Sequence, residues 1–298
     1  MQAKLEDRYS PCAADDSRLL LEMREATMSK NSHHAAADFV HTGFEIQDHI
    51  ATVTLNRPDR RNALNYRAYD ELEASFRLAS SDPAVRCLIV TGADPAFCSG
   101  DDVREIMAGP DSVASRERRA EPRATPAAIA ALECECPVIA AINGPAIGWG
   151  MELALFADIR IASEKAKFAE MFVKRGLVSD VGGFYRLPAI VGPAKASELL
   201  FTGDAIDAEE ALRIDLVSQV VPHEELLGKA REIASRIAAN PPLAVRALKD
   251  GLKRTAYGDP HEIGRWAIET IYRLMQTEDH KEGVASFLEK RAPHFTGR

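Results

Sequence analysis

PVIAAINGPAIGWGMELALFA, residues 137–157, carries the fold in one stretch. Its first six residues form an apolar run with no polar alternation, the pattern of a strand buried on both faces. Asn143-Gly144-Pro145 breaks that run with residues that turns select. Gly148-Trp149-Gly150 then leads into 151–157, which is apolar nearly all round apart from Glu152 and reads as a buried helix. Such strand–turn–helix units predict an α/β fold whose working loops lie at strand ends.

The same order holds upstream. Residues 87–90, Cys-Leu-Ile-Val, read as a buried strand closed by Thr91-Gly92-Ala93. Before it, 44–47 and 50–55 alternate around Asp48-His49, which predicts a β-hairpin. A helix follows with Tyr66, Tyr69, Leu72, Phe76 and Ala79 on one face, stopped by Asp82-Pro83. Residues 113–134 read as helical and 158–163 as a third strand. After Pro193 the chain reads as helical. One stripe carries Leu226, Ala230, Ile233, Ala234 and Ile237 and ends at Asn240-Pro241-Pro242. A second carries Ile263, Trp266, Ala267, Thr270, Ile271 and Leu274, and a last short helix carries Val284, Phe287 and Leu288. These stripes must cover the core or a neighbouring subunit. Residues 1–37 are polar and aperiodic, apart from a short helical stretch at 19–28, and read as a flexible extension. His33-His34 in that extension reads as solvated. Three regions result: 1–37, a core at 38–222 and a helical region at 223–298.

Composition narrows the function. Forty-five acidic against 37 basic side chains give a net charge of −8 over 298 residues, which disfavours general binding to nucleic acid or to an anionic membrane. No apolar run reaches the roughly 20 residues of a membrane helix. The first residues carry Lys4, Glu6, Asp7 and Arg8 where a signal peptide would be apolar. Five sparse cysteines point to a reducing cytoplasm. Cys134 and Cys136 lack a second Cys or His pair at metal-site spacing and read as plain thiols.

Two glycine-containing turns carry the chemistry. They are 96–103, Ala-Phe-Cys-Ser-Gly-Asp-Asp-Val, and 143–152, Asn-Gly-Pro-Ala-Ile-Gly-Trp-Gly-Met-Glu. Each follows a buried strand and opens a helix, where peptide N–H groups lack an intrahelical acceptor and carry partial positive charge. Two such donors aimed at one point make an oxyanion hole.

Together these segments resemble the crotonase (enoyl-CoA hydratase/isomerase) superfamily over roughly residues 42–298. Asn56-Arg57-Pro58 with Asn62-Ala63-Leu64-Asn65 is similar to its nucleotide-proximal motif, and Phe97 to Asp102 to its first oxyanion loop. Asn143-Gly144 through Glu152-Leu153-Ala154 with Asp158-Ile159 is similar to the second. Gly176-Leu177-Val178, Gly182-Gly183, Arg186-Leu187-Pro188 and the Glu282-Gly283 to Arg291 segment continue the match. The resemblance implies a spiral of ββα units with a C-terminal helical region that assembles a homotrimer or a dimer of trimers. It also implies an acyl-CoA thioester substrate of the kind met in fatty acid metabolism, with coenzyme A as part of that substrate and no metal or redox cofactor.

By the same resemblance the backbone N–H groups of Asp101 and Trp149 hold the thioester oxygen. Arg61, Ala63, Leu64, Gly100, Asp102, Val103, Gly148, Phe172, Phe287 and Lys290 line the substrate and CoA site, with Arg60, Arg61 and Lys290 as phosphate-binding cations. Glu152 coincides with the first hydratase glutamate. An ionisable group in so apolar a run reads as a proton shuttle ahead of a helix-dipole partner. The second hydratase glutamate is replaced by Phe172, and Glu170, two residues earlier, is expected to point away. Asp180 matches the aspartate of dienoyl-CoA isomerases; its alternative role is a cap for the helix through Phe184 and Tyr185. The Trp149 indole either narrows the acyl pocket or stacks outside it. Cys98, with no His in the matching segments, reads as an inert thiol. Isomerisation is therefore expected ahead of hydration, with thioester hydrolysis and non-catalytic acyl-CoA binding as rivals.

Overall fold

The computed structural model describes residues 39–108, 124–180, 182–255 and 259–298. The extension at 1–37, with 19–28 and His33-His34, and the first part of the 113–134 helix lie outside the described residues. β1 (Thr42–Gln47) and β2 (Ile50–Leu55) form the predicted antiparallel hairpin, Phe44 facing Val53. Its turn residues Asp48 and His49 have φ of 51° and 65°, positive at both positions, as a two-residue turn matched to strand twist requires.

β3 (Cys87–Gly92), β4 (Val138–Ile142), β5 (Ala146–Ile147), β6 (Ile159–Ser163), β7 (Lys167–Ala169), β8 (Ile206–Asp207) and β9 (Gln219–Val221) complete two sheets. The larger runs β1-β2-β3-β4-β6-β9 and is parallel from β2 onward; the smaller runs β5-β7-β8. The helices are α1 (Tyr66–Ser81), α2 (Pro126–Glu133), α3 (Trp149–Phe156), α4 (Leu187–Val191), α5 (Pro193–Thr202), α6 (Ala208–Arg213), α7 (Leu226–Ala238), α8 (Pro242–Thr255), α9 (Pro260–Leu274) and α10 (Glu278–Glu289). This is the expected crotonase-like spiral of ββα units with a helical C-terminal region.

Strand alternation divides the core into two layers. Cys87, Ile89, Ile139, Ala141 and Ile161 pack under Leu226, Ala230 and Ala234 of α7. Leu88, Val90, Val138, Ala140 and Ile142 face the other way, onto Leu72, Phe76, Met151 and Leu155. At the start of the sheet the Glu71 carboxylate of α1 accepts the N–H groups of Val40, His41 and Thr42 at 2.9, 2.7 and 2.9 Å. A buried acid thus fixes the entry of β1.

The sequence expectation fails in two places. After Pro193 the chain is not wholly helical. β8 and β9 are two and three residues long, too short for alternation to show, yet β9 extends the main sheet by pairing with β6. α8 is the second miss: Pro242, read as the end of one helix, begins another, a position where proline's missing N–H costs nothing. The stripe on α9 is mostly half-buried, with Thr270 buried and only Ile271 exposed, while Ile268 and Tyr272 leave a neighbouring face of that helix bare. The stripe on α10 stays uncovered within the chain: Val284 and Leu288 are exposed, and Phe287 is 82% exposed.

Candidate active site

The two glycine turns are stitched side by side. Cys98 N–H donates to Pro145 O at 3.0 Å and Ile147 N–H to Cys98 O at 2.9 Å, a short parallel bridge between Cys98 and Ala146. On the far flank, Leu64 N–H donates to Gly100 O and Asp102 N–H to Leu64 O, both at 2.8 Å. Asp101 is therefore bracketed by engaged neighbours, while its own N–H has no acceptor among the described residues. In the second turn Gly148 N–H donates to Ala169 O, and the Met151 and Glu152 N–H groups donate to Gly148 O. The N–H of Trp149 has no such partner among the described residues. Gly100, at φ 86°, lets the turns meet: a Cβ there would stand 2.7 Å from Ile147 O and 3.3 Å from Trp149 N. Two unengaged amides lie close together at a helix start, an arrangement that favours an anionic oxygen.

The motif beside the first turn is its scaffold. Asn62, buried and at φ 56°, donates from Nδ2 to Ala93 O and Ala96 O at 2.7 and 2.6 Å. Arg57 donates to Ala63 O at 2.5 Å and pairs with Asp102 at 3.1 Å. Asp102 also accepts Arg104 N–H as a cap. The side chain of Asp102 and the peptide of Leu64 are thus engaged internally and hold the Asp101 peptide in position.

The remaining expected contacts divide. Ala63 is buried, Gly148 forms the second turn at φ 54°, and Phe172 is half-buried with a ring carbon 3.8 Å from where a Gly148 Cβ would stand. Arg60, Arg61 and Val103 are exposed at the rim. Phe287 and Lys290 are exposed on and just after α10, and no hydrogen bond, ion pair or ring contact joins them to this site among the described residues.

The side chains of Tyr69, Asp101, Thr125, Trp149 and Asp180 form one network beside the two turns. The Trp149 indole is buried, edge-on to Tyr69 with centroids 4.8 Å apart, and tilted against Phe156 at 6.0 Å. Its Nε1 donates to Asp180 Oδ2 at 3.3 Å, and Thr125 Oγ1 donates to the same oxygen at 3.0 Å. The indole therefore ties the second turn to Asp180. Phe184 N–H reaches the Asp180 carbonyl at 3.4 Å, so the cap-like bond there uses the backbone. The Tyr69 hydroxyl donates to Asp101 Oδ1 at 2.5 Å. Burial raises the Asp101 carboxyl above its ordinary range; the Tyr69 bond opposes the rise and nearby Asp180 adds to it. The Tyr69 phenol is pushed well up by burial and then by Asp101. Tyr69 and Thr125 are the contributors that sequence reasoning misses. A phenol on an otherwise apolar helix face is the one signal available, since its polar tip needs a partner.

Glu152 is fully buried and already well supplied with donors. Its Oε1 accepts Ser179 Oγ at 2.5 Å and Asp180 N–H at 2.9 Å, and its Oε2 accepts Gly183 N–H at 3.1 Å. A Cβ at Gly182 would collide with Oε2. Burial nonetheless raises its titration, against the pull of these donors. Glu170 does not point away. It is buried, and its carboxyl lies close enough to Glu152 for the two charges to act on each other. The Cys98 thiol is buried and pushed up to about 12 by desolvation.

The enoyl-CoA hydratase/isomerase family model matches residues 45–298. The chain belongs to that family. It is 39% identical over 255 residues to the crotonyl-CoA hydratase of Syntrophomonas wolfei, covering 85% of this chain and 97% of that protein. It is 34% identical over 260 residues to the 1,2-epoxyphenylacetyl-CoA isomerase of Escherichia coli, with the same coverage. Among solved structures, an enoyl-CoA hydratase from Bacillus anthracis superposes with a TM-score of 0.80 at 33% identity, covering 87% of this chain and all of the other. Acyl-CoA hydratase/isomerase chemistry on a crotonase fold is the shared ground of these family members. No helix among the described residues is long and apolar enough to cross a membrane.

Proposed function

We propose that this family member isomerises an enoyl-CoA thioester, with the Asp101 and Trp149 N–H groups holding the thioester oxygen and Asp180 moving the proton. One observation carries the reading: two adjacent amides without acceptors, with the carboxylate of Asp180 tied to the side chain of one of them. Asp180 takes a proton from the γ-carbon, and the electron pair of that C–H bond becomes a new β–γ double bond. The α–β π electrons move into the carbonyl, and the resulting oxyanion is met by the two N–H groups. Return of the proton to the α-carbon completes the shift.

Burial distinguishes the acids. Glu152 is fully enclosed and holds three donors, all on the segment that carries Asp180. Asp180 is half-buried and sits against the indole. This division supports Asp180 as the group that reaches substrate, with Glu152 seating it. Phe172 in place of a second exposed carboxylate disfavours holding a water for hydration. Arg61 suits a CoA phosphate from its exposed rim position, and the bare faces of α9 and α10 support a homotrimer or a dimer of trimers.

The test is deuterium entry from solvent into the α- and γ-carbons of crotonyl-CoA and longer enoyl-CoAs. Wild type exchanges, and Asp180→Asn loses about 100- to 10,000-fold, the usual worth of a placed acid–base group. Equal exchange in Asp180→Asn overturns the assignment of the base. Release of free thiol without exchange assigns thioester hydrolysis instead, and tight binding without turnover assigns a binding role.

A further inference from the structure

Glu170 is the one anomaly in the described core. Its carboxyl is 1% exposed, and both of its oxygens are buried without a hydrogen-bond donor, the only such side-chain atoms among the described residues. An isolated buried carboxylate costs several kcal/mol and is not tolerated when neutralisation is available. Its neighbour decides which of the two acids keeps the proton. Glu152 is supplied with three donors suited to an anion, whereas Glu170 has none. The Ser179 hydroxyl donates to Glu152 Oε1 at 2.5 Å, which leaves Glu170 without a donor.

We infer that Glu170 is held as a neutral carboxylic acid and, by leaving Glu152 the one buried anion of the pair, acts as a positioning residue for Asp180. Glu152 in turn accepts the Ser179 hydroxyl at 2.5 Å and the Asp180 N–H at 2.9 Å, so its charge and placement seat the segment that carries Asp180. The charged groups around it are Glu152 on α3, Asp180 on the adjoining segment, and Lys174 and Arg175 on the short turn after Glu170. Lys174 is engaged by Asp204 at 2.8 Å, and Arg175 acts on Asp101. Burial, and then the charge of Glu152, push the Glu170 carboxyl up to about 9, in keeping with a proton retained at neutral pH. Ionising it would set two buried anions against each other and displace the segment that carries Asp180. The inference rests on Asp180 as the reactive acid, but the protonation state can be measured without turnover.

The experiment uses the full chain as wild type, Glu170→Gln and Glu170→Leu. Difference infrared spectra at pH 7 should show the C=O stretch of a neutral carboxylic acid in wild type that Glu170→Gln removes. Folding stability gives a second readout. The folded-state value lies above that of an unfolded glutamate, so the unfolded chain binds fewer protons between about pH 4.5 and 9. Stability must fall as pH rises through that window, and Glu170→Gln should flatten the slope. In turnover, Glu170→Gln and Glu170→Leu, both uncharged at every pH, lose the alkaline fall in kcat that ionisation of Glu170 imposes on wild type, at unchanged KM. An infrared band that survives in Glu170→Gln, or an unchanged pH slope of stability, overturns the neutral acid. Those two results stand even if no enoyl-CoA is turned over. A Glu170→Gln variant that keeps the wild-type alkaline fall in kcat overturns the positioning role.

Discussion

Gly150 lies where the two turns press together, and replacing it by alanine tests the geometry of the site directly. A Cβ built there would stand 2.7 Å from the Cys98 carbonyl carbon and 2.8 Å from the Cys98 Cβ, with the carbonyl oxygen nearer still. Ordinary contact begins at 3.4 Å, so backbone must move by at least about 0.7 Å. Neither side gives easily: Cys98 is held by both bonds of its bridge, and Gly150 lies in the first turn of α3. Overpacking of this kind costs about 1–3 kcal/mol. At about 2–4 °C per kcal/mol for a domain of this size, Gly150→Ala should melt a few to ten degrees lower. The amides shift relative to each other by a comparable fraction of an ångström, and about 1 Å of misplacement costs about 100-fold in rate. Exchange should therefore fall at least about tenfold in protein that is still folded. Gly228→Ala is the control: it lies on α7 with nothing within 4 Å of its Cβ position, and it should be neutral or stabilising by up to about 1 kcal/mol. A Gly150→Ala enzyme with wild-type melting temperature and wild-type exchange would refute the convergence of the two turns.

Three further outcomes are expected. Glu71 is desolvated, which raises its titration, but the N–H groups of Val40, His41 and Thr42 with Arg67 outweigh that and lower it. Its stabilisation is present above the unfolded value near 4.5 and is lost as pH falls through the folded one. Melting against pH should show this, and Glu71→Gln should cost about 1.5–3 kcal/mol at pH 7 and flatten the acid limb. Cys98→Ala should keep kcat, and iodoacetamide should leave wild type active near neutral pH, because a buried thiol pushed up to about 12 presents no thiolate. Phe287→Glu with Leu288→Glu, at positions exposed in the single chain, should reduce the sedimenting mass from that of the proposed trimer or dimer of trimers to that of a monomer. An unchanged mass would remove α10 from the interface.

What could be read from the sequence follows the range of the forces involved. Buried strands at 87–90 and 138–142 and the hairpin turn at Asp48-His49 are local patterns, and they stand where the sequence puts them. The two unengaged amides also follow locally, from glycine turns that open helices. Partnerships across the chain do not. Nothing in 62–65 announces that Asn62 reaches Ala93 and Ala96, or that the Leu64 peptide flanks Asp101. Tyr69 reads as core, and only the tertiary fold shows its hydroxyl against Asp101, 32 positions away. Glu170 is the sharpest case. An extended strand followed by a short helical turn gives no rule for where the residue between them points, and β7 ends at Ala169 while the turn starts at Met171.

Four carboxyls, Asp101, Glu152, Glu170 and Asp180, crowd around a point where an enolate would add another negative charge. Fully ionised, such a cluster would oppose the chemistry that the two amides favour. The protein distributes the charge unevenly. Glu152 is satisfied as an anion by two N–H groups and a hydroxyl, Glu170 lacks any donor to an anion, and Asp101 is capped by the Tyr69 hydroxyl. Asp180 accepts the Trp149 indole and the Thr125 hydroxyl among its contacts, and it is half-buried where Glu152 is fully enclosed. An acid that must accept and return a proton has to reach substrate. That exposure supports Asp180 as the proton-transfer group of the proposed mechanism, with the other three carboxyls shaping the field around it.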